Sequence, residues 1–115
     1  MRIHHLALRT DDLAGLERFY AGTLGLAITR RGPSSLWLDA GGTILMLEQR
    51  DPSEPKVDAE TKELLCFAIG PEEHERFAAT IEIEASTDYT LYFRDPDGRR
   101  VGVSSYPEPR SAHST

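Results

Sequence analysis

From Ile3 to Leu26 the chain reads IHHLALRTDDLAGLERFYAGTLGL, and two periodicities follow one another in it. In IHHLALRT, Leu6 and Leu8 fall on one side while His5, Ala7 and Arg9 fall on the other, the period-two pattern of a half-buried strand. After Asp11 and Asp12, both good cap residues, Leu13, Leu16, Phe19, Tyr20 and Leu24 recur at helical spacing, and Gly25 supplies a left-handed stop. Three short strands are expected next, at LAITRR, SLWLDA and TILMLEQ, separated by the turn compositions RGPSS and AGG. The first half therefore reads βαβββ.

The second half repeats this grammar. DPSEPKVDAETK, residues 51–62, is polar, has two prolines and lacks periodicity, so it reads as a connector. LLCFAI then alternates as a strand, and GPEEHERFAAT opens a helix with Pro71 early and Glu72 and Glu73 near its positive end. The strands IEIEA, YTLYFR and RRVGVSS complete it, the last two joined by the turn chemistry of DPDG. A strand, a helix and three strands, twice over, is an internal repeat. The expected fold class is α+β, built from two βαβββ modules: module one at 1–50, the connector at 51–62, module two at 63–106 and a flexible tail at 107–115. If the leucine and valine faces lie under the helices, the opposite face is concave. It carries His5, Ala7, Arg9, Trp37, Ile44, Met46, Glu48, Leu64, Cys66, Tyr92, Gly102 and Ser104, an apolar surface with a few polar groups, as in small-molecule pockets.

Bulk properties exclude several function classes. A chain of 115 residues supports one domain with a modest core. A formal net charge of -6 disfavours phosphate backbones and anionic lipid, so neither nucleic acid nor membrane is an expected partner. No apolar run approaches the roughly 20 residues that span a bilayer, and MRIHHLALRT lacks a signal-peptide pattern, so a soluble, cytoplasmic protein is expected. The single cysteine, Cys66, forms no intrachain disulfide and no Cys-rich zinc site; it reads as a small buried apolar group, with a reactive thiol as the other reading.

The segments IHHLALRTDDLAGLERFYAGTLGL, WLDAGGTILMLE and LYFRDPDGRRVGV resemble the vicinal oxygen chelate superfamily of glyoxalases, bleomycin-resistance proteins, extradiol dioxygenases and fosfomycin-resistance thiol transferases. The resemblance runs from Ile3 to Tyr106, and its most specific parts are FYAGTLG and DPDG. It implies paired modules forming a cupped mixed β-sheet with helices on the convex face, commonly in a homodimer. It also implies metal ligands on the first and fourth strands of each module. Those positions fall on His5, Met46, Leu64 and Gly102, so only His5 keeps a ligating side chain and the glycine stands where a glutamate is usual. A catalytic divalent ion needs about three protein ligands, and this set does not supply them. The resemblance therefore implies no cofactor here unless a divalent metal binds a rebuilt site.

Each remaining candidate has a functional and a plain reading. His5 is a metal ligand or a hydrogen-bonding group in a pocket, and His4 points the other way, to the surface. Glu48 is a general base, a ligand to a displaced ion with His5, or a solvated strand-end carboxylate. Arg9 and Arg94 hold an anionic ligand or provide surface charge. Trp37 and Tyr92 stack on a planar ligand, or belong to the core or a dimer contact. His113 lies in the tail and carries no weight. The expected function is binding of a small organic ligand on the concave sheet without the family metal, with a metal-dependent lyase, isomerase, dioxygenase or thiol transferase, or a metal-free acid/base enzyme using His5 and Glu48, as the alternative.

Overall fold

A computed structural model describes residues 1–110. The chain forms two compact units, Met1–Val57 and a second beginning at Asp58. In module one the order is β1 (His5–Thr10), α1 (Leu13–Glu17), β2 (Ala27–Arg31), β3 (Ser35–Asp39) and β4 (Ile44–Gln49); in module two it is β5 (Leu64–Ala68), α2 (His74–Thr80), β6 (Ala85–Ser86), β7 (Thr90–Arg94) and β8 (Arg100–Ser104). The sheets have the strand orders β1-β4-β3-β2 and β5-β8-β7-β6, each with one parallel pair, β1 with β4 and β5 with β8. Two βαβββ modules in an α+β chain are what the repeat predicted.

In module one, alternation decides which side is buried. Leu36 and Leu38 of β3 and Leu45 and Leu47 of β4 are buried together with Leu16, Tyr20 and Leu24, and α1 packs against β4. Burying each leucine contributes about 1.5–3 kcal/mol. Trp37, Ile44, Met46 and Glu48, the intervening residues, are only partly covered. The helix is started by Asp12, whose Oδ1 accepts from the backbone N–H of Gly15 at 2.9 Å, while the Asp12 N–H donates to Thr10 Oγ1 at 3.0 Å. Asp11, the other cap candidate, instead pairs with Arg50 at 2.9 Å. The helix does not continue as a regular α-helix: Arg18–Thr23 forms a π-helical turn in which the Leu24 N–H donates to the Phe19 carbonyl, and Gly25 at φ +84° ends it. That single wider turn keeps both Tyr20 and Leu24 inward.

Module two buries Phe77, Leu91, Phe93, Val101 and Val103. Its helix entry works from the other end of the same logic. Gly70 has no side chain to cap with, so Glu73 reaches back and accepts the Gly70 N–H at 2.7 Å through Oε2. The strand expected at IEIEA shrinks to Ala85–Ser86. The Ile81 N–H closes the end of α2 on the Phe77 carbonyl, and pairing to β7 begins only where the Glu84 N–H donates to the Tyr92 carbonyl at 2.7 Å.

The connector and tail are more tied down than their composition implies. Arg50 donates to the backbone carbonyls of Asp51, Pro52 and Glu54, and Glu54 accepts from the Asp51 N–H, so residues 51–54 are fastened to module one. At the other end, Ser105 Oγ donates to the Glu108 carbonyl at 2.6 Å, and the Arg110 N–H donates to the Asp88 carbonyl at 2.8 Å. The flexible tail expected at 107–115 is therefore hydrogen-bonded as far as Arg110. His113 lies outside the described residues. Among the described residues, no helix is long and apolar enough to cross a membrane.

Candidate functional site

Strand register places the candidate residues. In module one His5 is opposite Ile44, Ala7 opposite Met46 and Arg9 opposite Glu48, while Trp37 is opposite Met46 on the other side. The sheet face away from the leucine core therefore brings together His5, Arg9, Trp37, Met46 and Glu48. In module two Leu64 is opposite Arg100, Cys66 opposite Gly102 and Tyr92 opposite Gly102, so Leu64, Cys66, Tyr92, Arg100 and Gly102 share the equivalent face. The two registers superpose as sequence positions: His5 corresponds to Leu64, Met46 to Gly102 and Trp37 to Tyr92.

The same register separates His5 from Glu48. They stand four residues apart along the β1/β4 pair, roughly 13 Å at 3.3 Å per residue. This is beyond the reach of one shared proton or one shared ion. Both are also engaged elsewhere. His4 is exposed, as expected, and its Nδ1 lies 3.0 Å from that of His5 with the rings edge to face, so the two imidazoles are in contact. Glu48 accepts from Arg9 Nη1 at 3.1 Å, and Glu54 accepts from Arg9 Nη2 at 2.7 Å. Arg9 thus lies between two carboxylates, which raise its pKa, and its hydrogen bond holds Glu54 below the usual carboxylate range.

Cys66 is exposed, which corrects the buried reading. The cause is its place on β5, an edge strand whose neighbour across the face is a glycine. Partial burial nevertheless pushes the thiol pKa up, so it is no activated nucleophile. A Cβ added at Gly102 would meet Cys66 Sγ and the Leu91 carbonyl oxygen at 3.2 Å and Leu64 Cδ1 at 3.5 Å. The cysteine and leucine side chains thus close over the position that lacks one.

Sequence reasoning missed the arginines that cover both aromatic residues. The guanidinium of Arg30 sits 4.9 Å from the centroid of Trp37, and that of Arg100 sits 4.3 Å from the centroid of Tyr92. Each contact contributes about 0.5–1 kcal/mol at an exposed site. A register shift in β2 between Ile28 and Arg30 sets Arg30 opposite Trp37, and no sequence pattern marks it. Arg94 is held in place: its Nε donates to Glu84 at 3.1 Å and its Nη1 to the carbonyls of Thr61 and Gly98. The DPDG turn is structural too. Asp95 is buried, accepts from the Asp97 and Arg99 N–H groups, and pairs with the Arg99 side chain at 3.2 Å.

Residues 2–103 match the model of the Glyoxalase/Bleomycin resistance protein/Dioxygenase superfamily. The chain belongs to this superfamily. A glyoxalase/dioxygenase from Nostoc punctiforme has the same fold at 24% identity and TM-score 0.78, over 93% of this chain and 92% of that one. Lactoylglutathione lyase from Agrobacterium tumefaciens aligns at 25% identity and TM-score 0.68, over 90% of this chain and 92% of that one. A fosfomycin resistance protein from Listeria monocytogenes, crystallised with Mn(II), aligns at 18% identity and TM-score 0.70, over 90% and 89%. No curated protein matches the sequence.

Whether a divalent metal fits can be judged from the donors this chain offers at the four positions that the family resemblance implies as metal ligands. They are an imidazole at His5, a thioether at Met46, a hydrocarbon at Leu64 and hydrogen at Gly102. Among the described residues, no three His, Cys, Asp or Glu side chains come together in a way that could hold an ion. A hard divalent cation with an open coordination position does not fit that set.

Proposed function

We propose that this member of the superfamily binds a small organic ligand on the open sheet face of a module, without a divalent cation at the positions that the family resemblance implies as metal ligands. The observation that carries the reading is the donor set itself, one nitrogen ligand among four positions. Such a surface favours desolvating an aliphatic or aromatic body over polarising an oxygen. The spacing of His5 and Glu48, and the engagement of Glu48 with Arg9, give no support to a paired acid/base role. Two copies of the chain associate in this reading. The support is that β1 and β5 are edge strands with Leu6 and Leu64 exposed at 37% and 42%.

A thermal-shift screen of aromatic antibiotics, thiols and 2-oxo aldehydes tests the binding reading, because a ligand specific for the folded state raises its stability with the logarithm of concentration. Stabilisation by at least one organic class is expected. Titration with nickel, zinc, manganese and iron tests the metal-free part. One ion bound tightly per chain and lost in His5→Ala would reject it. Sedimentation at micromolar concentration tests the dimer, and a purely monomeric species would remove it.

A further inference from the structure

Module two's open face concentrates positive charge in a chain of net charge -6. Arg94 and Arg100 are cross-strand partners on β7 and β8, so both side chains stand on the same face. One carboxylate serves them both. Glu84 accepts from Arg94 Nε at 3.1 Å and lies 3.6 Å from Arg100 Nε, and the Arg94 hydrogen bond holds its pKa below the usual carboxylate range. Among the described residues, Glu84 is the carboxylate ion-paired to both guanidinium groups.

The two arginines differ in what occupies them. Arg94 is committed to Glu84, Thr61 and Gly98. The guanidinium carbon of Arg100 sits 4.3 Å from the Tyr92 ring centroid, its side chain is 19% exposed, and its buried Nε makes no hydrogen bond, with Glu84 Oε2 at 3.6 Å as its ion-pair partner. The 3.6 Å ion pair is longer than a hydrogen bond, so Arg100 lacks the forked, charge-assisted contact that an oxyanion gives a guanidinium. Beside it on the same face, Leu64, Cys66 and Gly102 form a floor of hydrocarbon, a protonated thiol and an absent side chain. A depression of about 320 Å³ lined by Ile81, Glu82, Ile83, Glu84 and Arg94 shares Glu84 and Arg94 with the cluster.

We propose that Arg100 is the anion-recognition residue of this face, seating the carboxylate of a small organic acid whose apolar body lies over Leu64, Cys66 and Gly102. Glu84 competes with the ligand for the guanidinium, which the Tyr92 ring backs at 4.3 Å. The inference rests on the ligand-binding reading above and adds to it the chemical class of the ligand.

Calorimetric titration of the full chain with benzoate, its uncharged analogue benzamide and inorganic phosphate tests it. Benzoate is expected to bind at least about 10-fold more tightly than benzamide or phosphate, the scale of one charge-assisted fork. Arg100→Gln erases that preference, and Arg100→Lys keeps part of it, having the charge without the fork. Glu84→Gln strengthens benzoate binding severalfold by removing the competitor, and this arm decides the matter if Arg100→Gln does not fold. Equal binding of benzoate and benzamide to the unaltered protein overturns the inference while leaving the broader binding reading intact. Phosphate binding as tightly as benzoate overturns the role of the apolar floor. Failure of all three probes overturns the inference, and a screen that also finds no stabilising compound overturns both readings.

Discussion

The two modules share a hydrogen-bonding frame and differ in nearly everything mounted on it. Trp37 and Tyr92 occupy corresponding positions, each beneath an arginine, yet Arg30 comes from β2 and Arg100 from β8. Module one balances Arg9 with Glu48 and Glu54, whereas module two leaves Arg94 and Arg100 to share Glu84. The frame depends on backbone pairing and on one alternating face of leucine, valine and phenylalanine. The other face is free of that constraint, so its donors and its charge can change without disturbing the fold.

Core truncations give the largest expected effects and ask whether the two frames are equally loaded. Leu38→Ala should cost module one about 2–5 kcal/mol and Phe93→Ala should cost module two about 3–5 kcal/mol, read as shifts in urea midpoint at constant slope. A negligible loss in either would break the parallel. Next comes the corresponding pair on the open face. Gly102→Ala is expected to destabilise by about 1 kcal/mol, because its Cβ meets the unyielding Leu91 carbonyl oxygen at 3.2 Å. Met46→Ala, at the matching position, leaves the backbone unstrained and should cost no more than that; a stabilised Gly102→Ala would show that β7 gives way.

Capping sharpens the comparison at a similar scale. Asp12→Ala removes a side-chain acceptor at the helix start, and Glu73→Ala removes the reciprocal one; each should cost about 0.5–2 kcal/mol in chemical denaturation. If only one does, the two helix entries are not energetically equivalent.

The smallest effect is the pH dependence that His74 contributes in module two. His74 is 3% exposed, and Ser105 Oγ, which gives its proton to the Glu108 carbonyl, must accept from His74 Nε2 at 2.9 Å. Nδ1 is then a buried acceptor without a partner. Desolvation, and secondarily the Arg110 cation, lower the His74 pKa. The unfolded chain therefore binds the proton more readily than the folded one. The stability contributed by neutral His74 is complete above the unfolded value of about 6.5, and it is lost as pH falls from there through the lowered folded value. Melting temperature should decline over that window, and His74→Phe should flatten the decline. An unchanged profile would place its origin elsewhere.

Alternation made the sheets legible in advance: SLWLD and ILMLE each name their buried and open residues by parity alone. IEIEA alternates equally well yet pairs only at its end, because side-chain alternation reports which face is covered and not whether the backbone finds a ladder. Ile81 and Ile83 are half-covered without being in a strand. The membership of each open face was legible for the same reason as the sheets. The electrostatics were not, since Arg30 and Arg100 reach their aromatic rings through long side chains, a bulge and cross-strand register that no local pattern encodes. Cys66 was misjudged because apolar neighbours in sequence say nothing about whether a strand lies at a sheet edge.

Arg50 carries a practical consequence. Its side chain ties the first residues of the connector to Asp11 and to the end of β4, so the natural seam of the polypeptide lies after Val57, seven residues beyond where composition alone would draw it. Fragment complementation, circular permutation or insertion of a reporter should therefore cut there; a break at 50/51 would sever the stitch from the piece it secures.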